Sequence, residues 1–419
     1  MVGSTYIHET IGSSMSYQIN NAKNAIHGFF LSLAVTVAEP STILPLIVYH
    51  FSSDIILVGV FASLLRGGAI AVQLFAAFYA QSYSRVLPYL RIVFFFRFLS
   101  WFMIGVAIYI VGDSDKILTL WMIGVGLFLF SFSAGFGGIY FKEIIAKVFS
   151  REERGKTMAN KQLFSSLAAI ISGGVTGVIL ENFQAPMNYA YLFMISAILM
   201  SIGLFAFATI DEPPKDSISQ RESSFWLFIQ NAYSMLRGDR RLRYQIAISL
   251  LGYSFLLSIP FVILRTKESF ELTGWLIGGF ITIQMIGSMI GNLLLWKRFG
   301  ARYITMIQYA YILMIISFVI ALYADTPILY GAIFFIFGIA LDGFKNADMN
   351  LILEIAPETK RPVYIAIHST ITSIGLFFAI PGGYILRNFT YEALYTVTII
   401  VLTIGYMLTF KLNILSKTE

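Results

Sequence analysis

The stretch from Asn188 to Ile210, NYAYLFMISAILMSIGLFAFATI, carries no charge, and residues 211–242, DEPPKDSISQRESSFWLFIQNAYSMLRGDRRL, follow it directly. As a helix rising 1.5 Å per residue, the first stretch is about 34 Å long, enough to cross roughly 30 Å of hydrocarbon. The second is too polar to enter lipid. Comparable apolar runs precede this pair near 25–49, 56–80, 89–111, 117–141 and 160–182, and others follow near 243–265, 273–295, 304–323, 327–349, 363–385 and 392–412. The pattern predicts an all-α membrane protein of twelve transmembrane helices. An even number of crossings leaves both termini on one side.

Composition agrees. Only 12% of the 419 residues are charged and 57% are hydrophobic, against about 25% charged in a soluble domain, too few charges to cover a water-facing surface. With no cysteine, disulfides and thiolate metal sites drop out, and no cofactor is expected. The net charge of +6 raises nucleic acid as a partner. The basic residues, however, are scattered over short loops, as membrane topology demands, and form no stripe that could follow a phosphate backbone. The first 24 residues lack the basic start, short apolar core and cleavage site of a secretory signal, so the first apolar run is expected to remain in the protein.

Basic residues also set the orientation. With the termini in the cytoplasm, 22 of the 29 Lys and Arg residues fall in cytoplasmic segments, 4 in outside loops (Lys116, Arg265, Lys267 and Arg387), and Arg66, Arg97 and Lys345 within spans. Short loops and the missing organellar signal point to a bacterial inner membrane.

Residues 211–242 divide the chain into bundles at 1–210 and 243–419. Asp211-Glu212-Pro213-Pro214 ends the sixth helix. Phe225, Trp226, Ile229, Ala232, Tyr233 and Leu236 recur at helical spacing and predict a linker helix lying on the inner membrane surface. The bundles read as repeats. Leu57-Val58-Gly59-Val60-Phe61 matches Leu272-Thr273-Gly274-Trp275-Leu276, and Arg154 before the fifth helix matches Arg361 before the eleventh.

With these features the chain resembles the major facilitator superfamily over nearly its whole length. That family has a Gly-x-Leu-x-x-Asp-Arg-x-Gly-Arg turn between helices 2 and 3 and again between 8 and 9. The first copy here keeps only Arg85, with Gln81 in the aspartate position. The second keeps Leu295, Arg298, Gly300 and Arg302, with Lys297 in place of the aspartate. Leu44-Pro45, Gln73-Leu74 and Arg154-Gly155-Lys156 are further points of similarity. The resemblance implies two pseudo-symmetric six-helix bundles around a central cavity, alternating access, and a gating role for Arg85, Arg298, Gly300 and Arg302. It names no substrate.

Ionisable side chains in hydrocarbon cost several kcal/mol unless paired or wet, so each requires a reason. Glu39 lies mid-span in helix 1, just before Pro40, and Arg66 lies about 15 Å into helix 2. The two are expected either to form an ion pair or to make a proton site, Glu39, whose affinity responds to burial and to Arg66. In helix 10, Asp342 and Lys345 share a face, where helix 4 carries Gly135-Phe136-Gly137-Gly138 instead. That asymmetry marks a second charged site. Gln284, Ser288 and Asn292 form a polar stripe on helix 8, and Tyr140, Tyr253 and Gln73 are candidate solute contacts. Asp348 reads as an interfacial residue, Arg97 as one that snorkels to the lipid boundary, His368 as a satisfied polar group, and His27 and His50 as peripheral.

No Gly-x-x-x-x-Gly-Lys-Ser/Thr loop for ATP is present, so an ion gradient is the expected energy source. These residues predict a monomeric secondary transporter of a small organic solute, proton-coupled in symport or antiport. A membrane sensor or assembly protein that reuses the fold is the alternative, favoured by the degenerate gate turns and opposed by the charges within the spans. Nothing resembles an enzyme's catalytic set.

Overall fold

In a computed structural model of the 419-residue chain, the structure describes residues 2–37, 39, 41–80, 83–214, 233–300, 302–357 and 361–418. The ordered elements among them are all helical, with no strand. With interrupted segments joined, most of them form twelve helices in order. The first, α1, runs Val2–Val37 and resumes at Ile43–Ser52. Next come α2 (Ile55–Ala80), α3 (Leu87–Ile110), α4 (Lys116–Val148), α5 (Arg151–Asn182) and α6 (Met187–Ala208). In the second half α7 is Arg240–Gly252 continued as Ile259–Ser269, α8 is Gly274–Ile290, α9 is Tyr303–Tyr323 and α10 is Pro327–Ile355. Last come α11 (Arg361–Thr372 continued as Ala379–Asn388) and α12 (Tyr391–Thr418). Among the described residues, ten helices, α3 to α12, are long and apolar enough to cross a membrane.

Packing repeats with a period of six helices. In the first half α1 packs on α5 and α6, α2 on α4, and α3 on α4 and α6; in the second α7 packs on α11 and α12, α8 on α10, and α9 on α10 and α12. The breaks repeat too. The segment beyond the break is 10 residues long in α1 and 11 in α7. Proline explains much of this, because it lacks the N–H that an interior helical turn needs. After the α1 break, the Glu39 carbonyl accepts from the N–H groups of Thr42, Ile43 and Leu44 at 3.1, 3.0 and 3.4 Å, so the chain turns without stranding them. The single span expected over 25–49 is therefore an interrupted one. Most of the linker helix expected over 223–236 lies outside the described residues; residues 233–238 are helical.

The halves meet chiefly through α2 against α11 and α5 against α8, a pair of contacts that the six-helix repeat interchanges. Both rest on glycine. A Cβ on Gly59 would lie 2.1 Å from the Ala379 carbonyl oxygen, and one on Gly274 would lie 2.4 Å from the Glu181 backbone nitrogen. These are the two glycines matched in the sequence repeat. Beside them Gly274 N–H donates to Glu181 Oε2 at 2.8 Å, and Asp54 stands 4.0 Å from Arg387. All these contacts lie toward the end opposite the termini, so that end is sealed.

At the other end Glu212, only 3% exposed, stands at the start of α3. Its carboxylate accepts from Val86 N–H at 3.0 Å and Leu87 N–H at 2.8 Å, and from Lys147 Nζ at 2.6 Å. A carboxylate suits a helix N-terminus, where unpaired N–H groups and the positive end of the dipole meet. Glu212 thus ties α3, the end of α4 and the segment after α6 together.

Both the clamp and the seam can be tested by substitution. Glu212→Ala removes the carboxylate from the Lys147 ammonium, which keeps its bond to the Ser84 carbonyl, and strands two backbone donors; it should lower stability by about 3 kcal/mol, read as thermal unfolding in detergent, and an unchanged midpoint would remove the clamp from the account. Gly59→Leu should hold the sealed end apart. Because the chain has no cysteine of its own, cysteines introduced at Asp54 and Arg387 report alone, and their yield with a short bifunctional maleimide should fall several-fold.

Candidate functional site

Between the halves lies a cavity of about 210 Å³. Its wall includes Ser32, Thr36 and Glu39 of α1 and its break, Arg66 of α2, Gln162, Ser165 and Ser166 of α5, Gln284 and Ser288 of α8, and Asp342 and Lys345 of α10. Six of these stand out in the sequence: Glu39, Arg66, Gln284, Ser288, Asp342 and Lys345. The face contributed by α5 does not. In sequence, Gln162, Ser165 and Ser166 look like the polar entrance of a span, and only the tilt of α5 across the cavity makes them wall.

The charges are brought into one space but not into ion pairs. Glu39 Oε1 lies 3.2 Å from Ser41 Oγ. The same hydroxyl lies 3.2 Å from Gln284 Oε1, across the boundary between the halves. Asp342 Oδ2 accepts from Ser288 Oγ and, at 2.9 Å, from Asn292 Nδ2; Asn292 in turn accepts from Asn346 at 3.1 Å. The polar stripe on α8 therefore acts as the hydrogen-bonding partner of the carboxylate on α10. Close packing allows it, since a Cβ on Gly338 of α10 would fall 2.1 Å from the Gln284 carbonyl oxygen. Arg66 feels the field of Glu39, and Lys345 that of Asp342, Arg66 and Glu39. The four charges form one electrostatic unit without direct contact.

Other candidates fall elsewhere. Tyr253 sits in the break of α7, edge-on to Phe344 and within the electrostatic reach of Arg66. Tyr140 is buried and points away from the central cavity toward a lateral groove between α3 and α4. That groove, about 780 Å³, is larger than the cavity, but Ile92, Phe96, Met103, Trp121 and Leu129 line it; it is a lipid-facing surface. The Gln73 side chain lies outside the described residues. Arg85 and Arg298 are exposed. Gly300 has φ +56, a region open to glycine and strained for other residues. Arg302 donates to the carbonyls of Phe299 and Arg298, both at 3.2 Å, which pins the same turn. Arg154 likewise caps the end of α4 by donating to the Phe149 carbonyl at 3.1 Å, as basic side chains near a helix C-terminus can.

Three expectations are corrected. Asp348 is not interfacial: it is 7% exposed and accepts from Gln245 Nε2 at 2.7 Å and from the Ser249 hydroxyl. His368 Nε2 lies 3.3 Å from Asp348 Oδ1, so a buried polar cluster joins α7, α10 and α11. Arg97 does not reach the lipid boundary. Its guanidinium lies 4.6 Å over the Phe130 ring, and its Nε has no partner. His27 is not peripheral. It is buried among Phe94, Phe141 and Phe207, with neither ring nitrogen bonded. Lys161 lies 3.6 Å over the Phe141 ring. In each case the host helix presents its charge to a neighbouring helix, a rotation that hydropathy does not encode.

The fold and the paired halves agree with comparisons to known proteins. The family model described as Major Facilitator Superfamily matches residues 25–380, and the chain belongs to that family. Among solved structures, a point mutant of the nucleoside transporter NupG superposes with a TM-score of 0.71 at 13% identity, covering 94% of this chain and 99% of that one. A bacterial homologue of the iron transporter ferroportin, in an inward-facing state, gives 0.69 at 12% identity over 94% and 98% of the two chains. A POT family transporter bound to a thioalcohol-conjugated peptide gives 0.69 at 12% over 95% and 96%. At these identities the likeness is one of fold. Comparison with curated sequences gives no significant match. The chain is a multi-pass membrane transporter, not an enzyme.

Asp348→Ala removes the carboxylate shared by Gln245, Ser249 and His368 and leaves them to the backbone carbonyls of residues 348 and 245 and to one another. It should cost about 2 kcal/mol, read as a lower unfolding midpoint. An unchanged midpoint would mean the cluster contributes little to holding α7, α10 and α11.

Proposed function

We propose that the protein is a secondary active transporter that carries a small organic solute by alternating access and couples the movement to protons at Glu39. The observation that carries this reading is the central cavity itself, where Glu39, Arg66, Asp342 and Lys345 face one space between two repeated halves. At about 210 Å³ it is smaller than the roughly 300–1,000 Å³ typical of sites for drug-sized ligands, which supports a small metabolite over a lipid or a long peptide. Among the described residues, the close backbone contacts between the halves lie toward one end. With the termini in the cytoplasm, as the distribution of Lys and Arg favours, that state opens inward. Arg85, Arg298, Gly300 and Arg302 belong to turns at the open end and, on this reading, form part of the inner gate.

A coupling route is available at the α1 break. The Ser41 hydroxyl has one proton and two acceptors, Glu39 Oε1 and Gln284 Oε1, both at 3.2 Å. With Glu39 ionised, the two compete for it. With Glu39 protonated, its own O–H donates to Ser41, and Ser41 is released to hold Gln284. Proton binding on the first half thereby strengthens a contact to the second.

The test is solute-driven proton flux in proteoliposomes containing a trapped pH dye. Wild type should show a pH change on solute addition, and Glu39→Gln should reduce it at least tenfold while the protein still binds solute. Undiminished proton flux in Glu39→Gln would move the coupling site away from α1.

A further inference from the structure

The four cavity charges cancel formally, yet their hydrogen-bonding capacity does not. Both carboxylates are already engaged by the protein: Asp342 by Ser288 and Asn292, and Glu39 by Ser41. Among the described residues neither Arg66 nor Lys345 donates a hydrogen bond or makes an ion pair, and both line the cavity. A guanidinium offers five N–H donors and an ammonium three. Burying such donors unmet is costly, and in hydrocarbon the cost rises further. The unmet capacity of this site is therefore almost wholly for accepting groups that carry negative charge. Buried donors lacking a partner are found elsewhere too, on Arg97 and His27, but those face rings in the packed interior, whereas Arg66 and Lys345 face open space.

We infer that the cavity takes a small organic anion whose acidic group is held between Arg66 of the first half and Lys345 of the second. This rests on the reading of the cavity as the transport site. Because the two cations belong to different halves, one acidic group bridging them draws the bundles together from inside, as a ligand must to favour closure. Charge balance fits as well. With Glu39 protonated, Arg66 and Lys345 outweigh Asp342 by one, so a monoanion leaves the loaded cavity neutral for its passage through the low-dielectric span. The remainder of the solute would meet Gln162, Ser165, Ser166 and Gln284, neutral groups that both donate and accept, so hydroxyl-bearing acids suit better than apolar ones. An Arg can grip a carboxylate or phosphate edge with two parallel bonds, which Lys cannot.

Purified protein would be offered three pools of small solutes matched in size: anions (lactate, pyruvate, gluconate, glucuronate and glycerol 3-phosphate), their neutral alcohols and sugars, and the corresponding amines. Binding is read as thermal stabilisation in detergent, and transport as flux in proteoliposomes. The anion pool alone should stabilise wild type. Arg66→Gln and Lys345→Gln should each weaken that binding at least tenfold. Arg66→Lys, which keeps the charge and guards against a folding artefact, should retain the preference for anions at lower affinity. Separate assay of glycerol 3-phosphate distinguishes a phosphate from a carboxylate. Stabilisation by the neutral or amine pool, anion binding that persists in both Gln variants, or no stabilisation by any pool would overturn the inference. Flux of a neutral or cationic solute would overturn it and leave the transporter reading standing. Anion binding without flux of any solute would instead overturn the transporter reading and leave the anion site intact.

Discussion

Close backbone contacts that only glycine permits hold the halves of this protein together, Gly59 and Gly274 at the sealed end and Gly173 against Gly278 further in. Gly59 brings α2 against the Ala379 carbonyl of α11, and Gly274 brings α8 against the end of α5. At such distances even a methyl group forces the helices apart, so the seal is a property of the backbone and needs no large side chain. Packing of this kind suits a membrane, where lipid is as apolar as any side chain and association comes from close fit rather than exclusion of water. It also suits a contact that has to break, as the proposed alternating access requires. A glycine seam has little interdigitation to undo, and the Asp54–Arg387 pair at its rim stands at 4.0 Å, partly exposed.

Once the seal is fixed at one end, the placement of charge follows. Among the described residues, charges outside the cavity lie at helix ends, in polar clusters or over aromatic rings within a bundle. Glu212 meets Lys147 and the start of α3, Asp348 meets His368, Ser249 and Gln245, and Arg97 and Lys161 lie on aromatic faces. Each of these clusters joins helices of the same half. The cavity is the place where charges from both halves share a space without pairing. A bundle interior can be satisfied once, during folding. On the proposed reading, a transport site has to be satisfied anew in each cycle by something that arrives and leaves, and the unengaged donors of Arg66 and Lys345 fit that demand.

Much of this was legible in the sequence. Run length, loop charge and the Gly59–Gly274 correspondence gave the helices and the repeat, because span length and small-residue contacts are local properties. Glu39, Arg66, Asp342 and Lys345 stood out since hydrocarbon makes any charge conspicuous. Partners were harder to read. Ser41, Ser165 and Ser166 are unremarkable in an apolar run, and their role depends on helix rotation. Asp348 and Asp342 are six residues apart on α10, far enough round the helix for one to face the cavity and the other the bundle interior. Glu212 was read only as a helix terminator. Its partners, the start of α3 and Lys147, are distant in sequence and are brought to it only by the fold.

The break in α1 shows how the scaffold and the chemistry meet. A continuous helix would bury the Glu39 carbonyl in its own ladder and turn Ser41 onward with the next residues. Interrupted here, the chain satisfies Thr42, Ile43 and Leu44 through one carbonyl and leaves Glu39 and Ser41 side by side at the boundary with α8. The corresponding break in α7 places Tyr253 near Arg66, so each half directs an interrupted helix toward the same set of charges. The asymmetry lies in what the breaks carry: an ionisable carboxyl on one side and a phenol on the other. A symmetric scaffold can rock between two states without preference. On the proposed coupling at Glu39, placing the carboxyl on only one of the two breaks would give a bound proton a preferred half and, through Ser41 and Gln284, a path to the other.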